Sequence, residues 1–579
     1  MPPRAFVLVP LTLLVWFFAL RLHSASLAKL NEVKTRPHRT SDPSPAIRQS
    51  DAISDGPDKV LTFVQISDLH ISKFQKVGGL AHFTEFLESE LPLIAPELVV
   101  ATGDLTDAKD RKKLTSQQYL DEWFAYHSVL QTSGVLERKA GKFWWDQRGN
   151  HDCFNLPAFE AAKNPFSHMS AVKAEGYAHH LHKSFGTYSF IALDACPHYG
   201  VSRPFNFFGY VETSDMDFLA SELAKSASHN HTFVMSHYPT ATMMFGKTSD
   251  GRTFWELSKD ISVWLCGHLH RLFAGLGKTM YAYQGTFLEL EVADLKVHAV
   301  YRIVAIDHDV VSFIDLPLGA SNLPMHVEHD IEANPHVAVS PKPRISNRQP
   351  IVMITNPKDG RYAIPLHEPA NSVQRSEYIR VLVWTAHTIK SVVHVTVDGR
   401  THEIEAEYRG KGRPWRELGV EGARKEVGEE EYVPLWVIKW HPSRYDDGEN
   451  HEMTVMVFDE DGRNGTSQVV RFRVDGERIL DMQSGVGGAI IAVPFGVLFK
   501  DLFIVLYFLV TFGFLLFPKL FVARLKETNR YAHWRAEMAT SLVVADVASR
   551  TSTPAKVVLT KLGLRKRRFS DLVPHRPWY

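Results

Sequence analysis

Between about residues 59 and 330, short apolar runs rich in β-branched residues alternate with amphipathic stretches. The first run, 60–66, is followed by a stretch of helical period over 82–91. Runs at 98–102, 142–148, 187–194, 232–236 and 261–266 predict further strands, and 116–130 and 214–226 predict helices. Strand-then-helix alternation predicts α/β layering. Between 345 and 478 the period changes to two. Val393, Val395 and Val397 alternate with His394 and Thr396 before an Asp398-Gly399 turn; Val470, Phe472 and Val474 alternate with Arg471 and Arg473 after Asp461-Gly462. That pattern predicts a second, all-β domain, a sandwich.

Two regions are apolar without such periodicity. Residues 5–20 are apolar except Thr12 and are bounded by Arg4 and Arg21, so 1–21 reads as a signal peptide or signal anchor. A polar linker rich in Pro, Ser and Asp follows over 22–58. Near the other end, 502–517 is uninterrupted and extends past Pro518 and Lys519 to Ala523, about 20 residues, the length that crosses a bilayer. The run at 486–499 is shorter and reads as an interfacial or re-entrant piece. Together they predict a transmembrane region over 485–523 and a tail over 524–579. From Lys519 onward there are 13 Lys+Arg against four Asp+Glu, whereas Arg21, Lys29, Lys34, Arg36 and Arg39 follow the first apolar segment. The larger asymmetry places the tail inside and the 59–330 region on the extracytoplasmic side of the plasma membrane or an endomembrane.

With 579 residues and 65 Lys+Arg balancing 65 Asp+Glu, the chain is too long for one small module and too ordinary in composition for wholesale disorder. The balance supplies no case for a nucleic-acid partner. Three cysteines, Cys153, Cys196 and Cys266, allow at most one bridge.

The candidate chemistry lies where the predicted strands end. The run 60–66 leads into Asp68-Leu69-His70, 98–102 into Gly103-Asp104, 142–148 into Gly149-Asn150-His151-Asp152, 232–236 into His237, and 261–266 into Gly267-His268-Leu269-His270. Ligands of open α/β sheets sit outside the carboxyl ends of strands, so five strands can converge these side chains on one site. Each motif alone is weak; their order within about 200 residues is specific. Two divalent metals about 3.5–4 Å apart need a carboxylate touching both, imidazoles suited to borderline ions, and open positions for water and phosphate.

With these motifs in this order, residues 60–270 resemble the calcineurin-like metallophosphoesterase superfamily. The resemblance implies a four-layer α/β sandwich and a phosphoester substrate cleaved through a metal-bridging hydroxide, with two divalent ions drawn from Mn, Fe, Zn or Mg. It implies that Asp68, His70 and His270 hold one metal, that Asn150, His237 and His268 hold the other, and that Asp104 bridges them. It gives His151 the catalytic role of proton donor to the leaving oxygen, and Asp152 is expected to support His151. The position three residues after Asp104, a tyrosine ligand in purple acid phosphatases, is Asp107, which argues against a tyrosinate-iron centre. The whole layout resembles a membrane-bound branch of the superfamily, implying an Ig-like sandwich and membrane residence.

Two other readings compete. A receptor or scaffold binding partners through the sandwich would tolerate a decayed metal site, yet no ligand position is missing. A nuclease would want a basic, aromatic-lined groove, and no Lys/Arg stripe is concentrated in 59–330. The tract His179-His180-Leu181-His182 reads as a solvated loop, Cys266 as a buried inert thiol, and Asn230-His231-Thr232 and Asn464-Gly465-Thr466 as glycosylation acceptors if they face a lumen.

Overall fold

The computed structural model describes residues 52–550 except 77, 272–278, 320–330, 332–335, 337–347, 370–371, 415–430, 483–484, 494, 512–516 and 529. The predicted segment 1–21, most of the 22–58 linker and the tail beyond 550 lie outside the described residues.

Two sheets are built from β1 (Val60–Ile66), β2 (Val99–Ala101), β3 (Trp144–Asp146), β4 (Tyr177–Lys183), β5 (Gly186–Ala192), β6 (Gly209–Val211), β7 (His231–Met235), β8 (Met243–Phe245), β9 (Val263–Cys266), β10 (Met280–Tyr283), β11 (Leu288–Glu291), β12 (Val300–Asp307) and β13 (Val310–Pro317), with β6 and β8 pairing apart. The first sheet has the order β13-β12-β1-β2-β3 and the second β10-β11-β9-β7-β5-β4. The strands β1, β2 and β3 run parallel, as do β5, β7, β9 and β11, while antiparallel β12 and β13 close one edge of the first sheet and β10 and β4 close both edges of the second. The strands β10 to β13 are not among the apolar runs singled out in the sequence. The tract His179-His180-Leu181-His182 is not a loop but lies in the edge strand β4, with His179 stacked on Trp145.

β1 shows why the fold has four layers. Leu61 and Phe63 point between the sheets, where Phe63 meets Phe190 and Phe233 edge-on at 5.2 Å; Val60, Val64 and Ile66 point the other way, into a core with Phe83, Phe86, Trp123 and Tyr126. A strand buried on both faces needs apolar side chains at nearly every position. The outer layers are helices: α1 (Leu120–Ser133) covers the first sheet, and α2 (Thr213–Lys225) covers the second through Met216, Leu219 and Leu223.

The β-rich region beyond comprises β14 (Ile351–Asn356), β15 (Tyr378–Trp384), β16 (Val392–Val397), β17 (Arg400–Glu405), β18 (Glu407–Tyr408), β19 (Leu435–Lys439), β20 (His451–Phe458), β21 (Asn464–Thr466) and β22 (Val470–Phe472). They form one sheet of order β14-β15-β19-β18 and another in which β16 pairs β17 and β20. Val381 and Val383 of β15 face Val393, Val395, Val455 and Phe472 across the sandwich, but Leu382 and Trp384 join the core of the first layer system, as do Met353 and Leu435. This sheet is apolar on both faces, so the two regions share a core within one compact unit that extends to Leu498. A buried polar lock adds to it. Arg380 donates to Asp307 at 2.8 Å and to the carbonyls of Ser54 and Gly56, and Thr355 donates to the same carboxylate at 2.6 Å.

The apolar C-terminal sequence begins inside the first compact unit. Within the run at 486–499, α3 (Gly485–Ala492) packs on β10: Ile491 is buried with Met280 and Ala282, and Gln284 donates to its carbonyl at 3.0 Å. The chain from Phe499 onward forms a separate unit, into which α4 (Phe495–Val510) runs and in which α5 (Phe517–Glu527) and α6 (Tyr531–Arg550) follow. Residues 512–516, in the middle of the span expected over 502–523, lie outside the described residues. Among the described residues no helix is long and apolar enough to cross a membrane.

Candidate metal centre

All five motif-bearing loops follow parallel strands, so their first residues emerge on one side of the two sheets. Leaving a buried strand within two or three residues and turning a polar side chain inward demands unusual backbone. Asp68, His70, Asp104, His268 and His270 all have φ between 45° and 82°, a region that costs a non-glycine residue about 1 kcal/mol or more. Neighbouring glycines make room for this. A Cβ on Gly149 would lie 2.1 Å from Asp104 Oδ1, and one on Gly267 would lie 2.3 Å from Asp68 Oδ2.

The side chains gather into two groups. In the first, His270 Nε2 is 3.0 Å from Asp68 Oδ1 and 3.2 Å from His70 Nε2, which is itself 3.5 Å from Asp104 Oδ2. In the second, Asn150 Oδ1 is 3.2 Å from His237 Nε2 and 3.1 Å from His268 Nδ1, with His237 Nε2 3.4 Å from Asp104 Oδ1. Asp104 presents one carboxylate oxygen to each group. His151 stands at the edge, its Nε2 3.7 Å from Asp104 Oδ2 and its backbone N–H donating to Asp104 Oδ1 at 2.8 Å.

The donor set fits a pair of cations. His237 donates from Nδ1 to the Thr102 carbonyl at 2.8 Å, and His268 donates from Nε2 to the Phe207 carbonyl at 2.9 Å. Their inward nitrogens therefore carry lone pairs, and with Asn150 Oδ1 three acceptors converge. Such a cluster repels itself unless a positive charge sits among it. Without a cation, a proton on the inward nitrogen of His237 takes the place of that charge. Burial and then His237 push His268 down to about 3, whereas at His237 burial is outweighed by Asp104 and the imidazole rises to about 9.

Asp152 departs from its expected role. Its carboxylate accepts from the backbone N–H groups of Leu105, Thr106 and Gly149 and from the Thr106 hydroxyl, at 2.8–3.2 Å, and none of these bonds comes from the His151 ring. Asp152 ties the β2 loop to the β3 loop; burial and the nearby Asp104 raise it to about 7. His151 is held instead through Nδ1, 2.6 Å from the Asp107 carbonyl.

Asp107 does more than exclude a tyrosine. Its carboxylate faces His70 Nδ1 at 3.3 Å and is itself held by Lys296 at 2.9 Å and Lys109 at 3.2 Å. Asp294 lies 3.5 Å from His270 Nδ1 in the same manner. Position three after Asp104 was the available signal for Asp107; nothing in the pattern marks Asp294. A disulfide joins Cys153, beside Asp152, to Cys196, while Cys266 is free and buried.

Residues 61–272 match the Calcineurin-like phosphoesterase family and residues 346–478 the TMEM62 Ig-like domain family. The chain carries a calcineurin-like phosphoesterase domain followed by a TMEM62 Ig-like domain. It is 34% identical over 409 residues to Transmembrane protein 62 of Mus musculus, covering 70% of this chain and 54% of that protein. It is 29% identical over 296 residues to an Arabidopsis thaliana protein named as a metallophosphoesterase, covering 44% of this chain and 39% of that one. The chain thus spans about half or less of the length of these relatives. A purple acid phosphatase from yellow lupin aligns with a TM-score of 0.29 at 13% identity, over 46% of this chain and 52% of that one. Both side-chain groups fall within residues 61–272, the stretch that matches the phosphoesterase family.

Proposed function

We propose that the chain is a membrane-anchored, dinuclear metal-dependent phosphoesterase whose ions are held by Asp68, His70 and His270 on one side and Asn150, His237 and His268 on the other. The observation that carries this reading is Asp104, which offers its two oxygens to two separate donor groups. Two divalent ions bound there acidify water and neutralise phosphate charge. Asp107 and Asp294 orient His70 and His270, Thr102 and Phe207 fix the tautomers of His237 and His268, and His151 gives its proton to the leaving oxygen. Asp152 keeps the loops of Asp104 and Asn150 in register.

The test is a screen of monoester, diester and pyrophosphate substrates with Mn, Fe, Zn and Mg added separately to metal-stripped full chain. Turnover restored by at least one metal, and absent from Asp104→Asn, supports the reading; no turnover with any metal sinks it.

We infer that the phosphoesterase and sandwich domains lie on the extracytoplasmic side. The Cys153–Cys196 bridge supports this, because such bonds persist in oxidising compartments. Of the two sequons, Asn464 is exposed, whereas Asn230 donates to both Asp309 oxygens and accepts from Thr187 N, leaving no free amide for a glycan. Glycosidase-sensitive mass that disappears in Asn464→Gln is the supporting result. Thiol labelling of Cys153 and Cys196 in intact cells without reductant would place the domain in the cytosol.

A further inference from the structure

The rim of the metal centre is built differently from the rest of the phosphoesterase surface. The loop between β5 and β6 is pinned over the site. Cys196 is bonded to Cys153, Gly200 N donates to the Leu156 carbonyl at 2.7 Å, Asn206 donates to the Asn150 carbonyl at 3.4 Å, and the Phe207 carbonyl receives His268 Nε2. Yet its apolar side chains face outward. Tyr199 is 80% exposed and Phe205 82%, and Val201, Phe207, Tyr210 and, on paired β8, Met244 are exposed as well. A pinned loop that displays aromatic groups to water marks a contact surface.

Two neighbours say what covers it. Arg203 of the same loop donates to the Lys113 carbonyl at 3.1 Å, which sets the exposed run Arg111, Lys112, Lys113 and Leu114 beside the aromatics. Aromatic and aliphatic groups flanked by basic ones suit the headgroup region of a bilayer, with the rings at the interface and the cations against lipid phosphates. On the other flank, α3 packs against Thr240–Thr242, just after His237, and Ile491 clusters with Leu269, between His268 and His270. From α3 the chain runs directly into the apolar helix α4.

We propose that the mouth of the metal centre faces a bilayer and that its substrate is a phosphoester borne by a membrane lipid, with Tyr199 and Phe205 entering the interface. This rests on the phosphoesterase reading above. Hydrolysis adds one water across the P–O bond to the lipid alcohol: the hydroxyl goes to phosphorus and a proton to the leaving oxygen. The alcohol stays in the bilayer while the phosphate departs into water.

Two measurements on the full chain test it. With the metal that restores turnover, rates are compared on dioleoyl phosphatidic acid in phosphatidylcholine vesicles against glycerol 3-phosphate, and on phosphatidylglycerol vesicles against bis(p-nitrophenyl) phosphate. The double variant Tyr199→Asp, Phe205→Asp should lose about tenfold or more on the lipid ester and keep its rate on the soluble one. Equal losses, or none, would overturn the proposal. Independently of any activity, a spin label on Phe205→Cys in phosphatidylcholine nanodiscs should relax with dissolved oxygen and be shielded from a nickel chelate. Relaxation by nickel would put the rim in water, and shielding from both would put a protein there; either result refutes the lipid. Failure of the metal screen with a lipid-shielded label would reject only the phosphoesterase reading.

Discussion

The phosphoesterase domain and the Ig-like domain are both β-rich, yet they distribute backbone strain in opposite ways. In the first, Asp68, His70, Asp104, His268 and His270 are all left-handed where strands end and polar side chains turn inward, beside others such as Ala95, Lys139 and Asp309 in loops away from the site. In the Ig-like domain the left-handed non-glycine among the described residues is Asp398, in an exposed hairpin turn beside Gly399. The sandwich spends its polar residues on solvent, as with His394 and Thr396 between buried valines, whereas the phosphoesterase domain buries Asp68, Asp104 and His237 almost completely. Several buried polar residues with left-handed backbone meeting at one place are therefore the mark of chemistry here, whereas a single one, such as His308, is ordinary folding.

The largest effect that can break this contrast is at Asp104. Asp104→Asn should lower metal-dependent turnover by more than ~10⁴-fold, as for one member of a unit that acts together. Metal analysis should show the loss of one equivalent or more, and a purified variant with two metals and the parent rate would separate strain from chemistry. Next is His151, whose removal should leave both ions bound but slow turnover by ~10²–10⁴-fold on alkyl esters. Esters of acidic phenols should be nearly spared. Asn150→Ala, one residue earlier, should instead weaken one metal; loss of metal in His151→Ala would make that histidine structural.

Much of this is legible in the amino-acid sequence alone. The apolar runs placed β1, β2, β3, β7 and β9, and the polar residues just beyond them are those that meet in the centre. What the pattern could not show were contacts made across the fold. Asp152 sits next to His151 in sequence, but a left-handed Asp104 carries the β2 loop to its carboxylate, and the ring turns to the Asp107 carbonyl instead. Asp294, some 24 residues beyond His270, lies in a stretch with no period that points to it. The seam was equally hidden, because Leu382 and Trp384 alternate with Val381 and Val383 and all four are apolar.

A smaller effect sharpens the comparison at Asp107. Asp107→Asn leaves every first ligand in place but weakens the acceptor behind His70, so metal affinity should fall ~10–100-fold while circular dichroism and melting stay near the parent. An unchanged metal titration would remove Asp107 from the site. The smallest is Gly399→Ala in the sandwich hairpin. A Cβ there meets nothing within 4 Å, so only the φ of 76° is penalised, and stability should drop by about 1 kcal/mol with metal content and turnover intact. A change in metal content would show that the two regions are not separable in this respect.

The lock between Asp307 and Arg380 has a consequence in time. Its two members are 73 residues apart in the chain, and at the usual pace of synthesis, roughly 5–20 residues per second, the arginine emerges about 4–15 s after the aspartate. Throughout that interval the first sheet carries a carboxylate without its guanidinium and an apolar face without Leu382 and Trp384. The newborn phosphoesterase domain is thus an open surface waiting for a sheet still inside the ribosome, and a pause in translation between the two would prolong the stage at which the chain is most prone to clump with its neighbours.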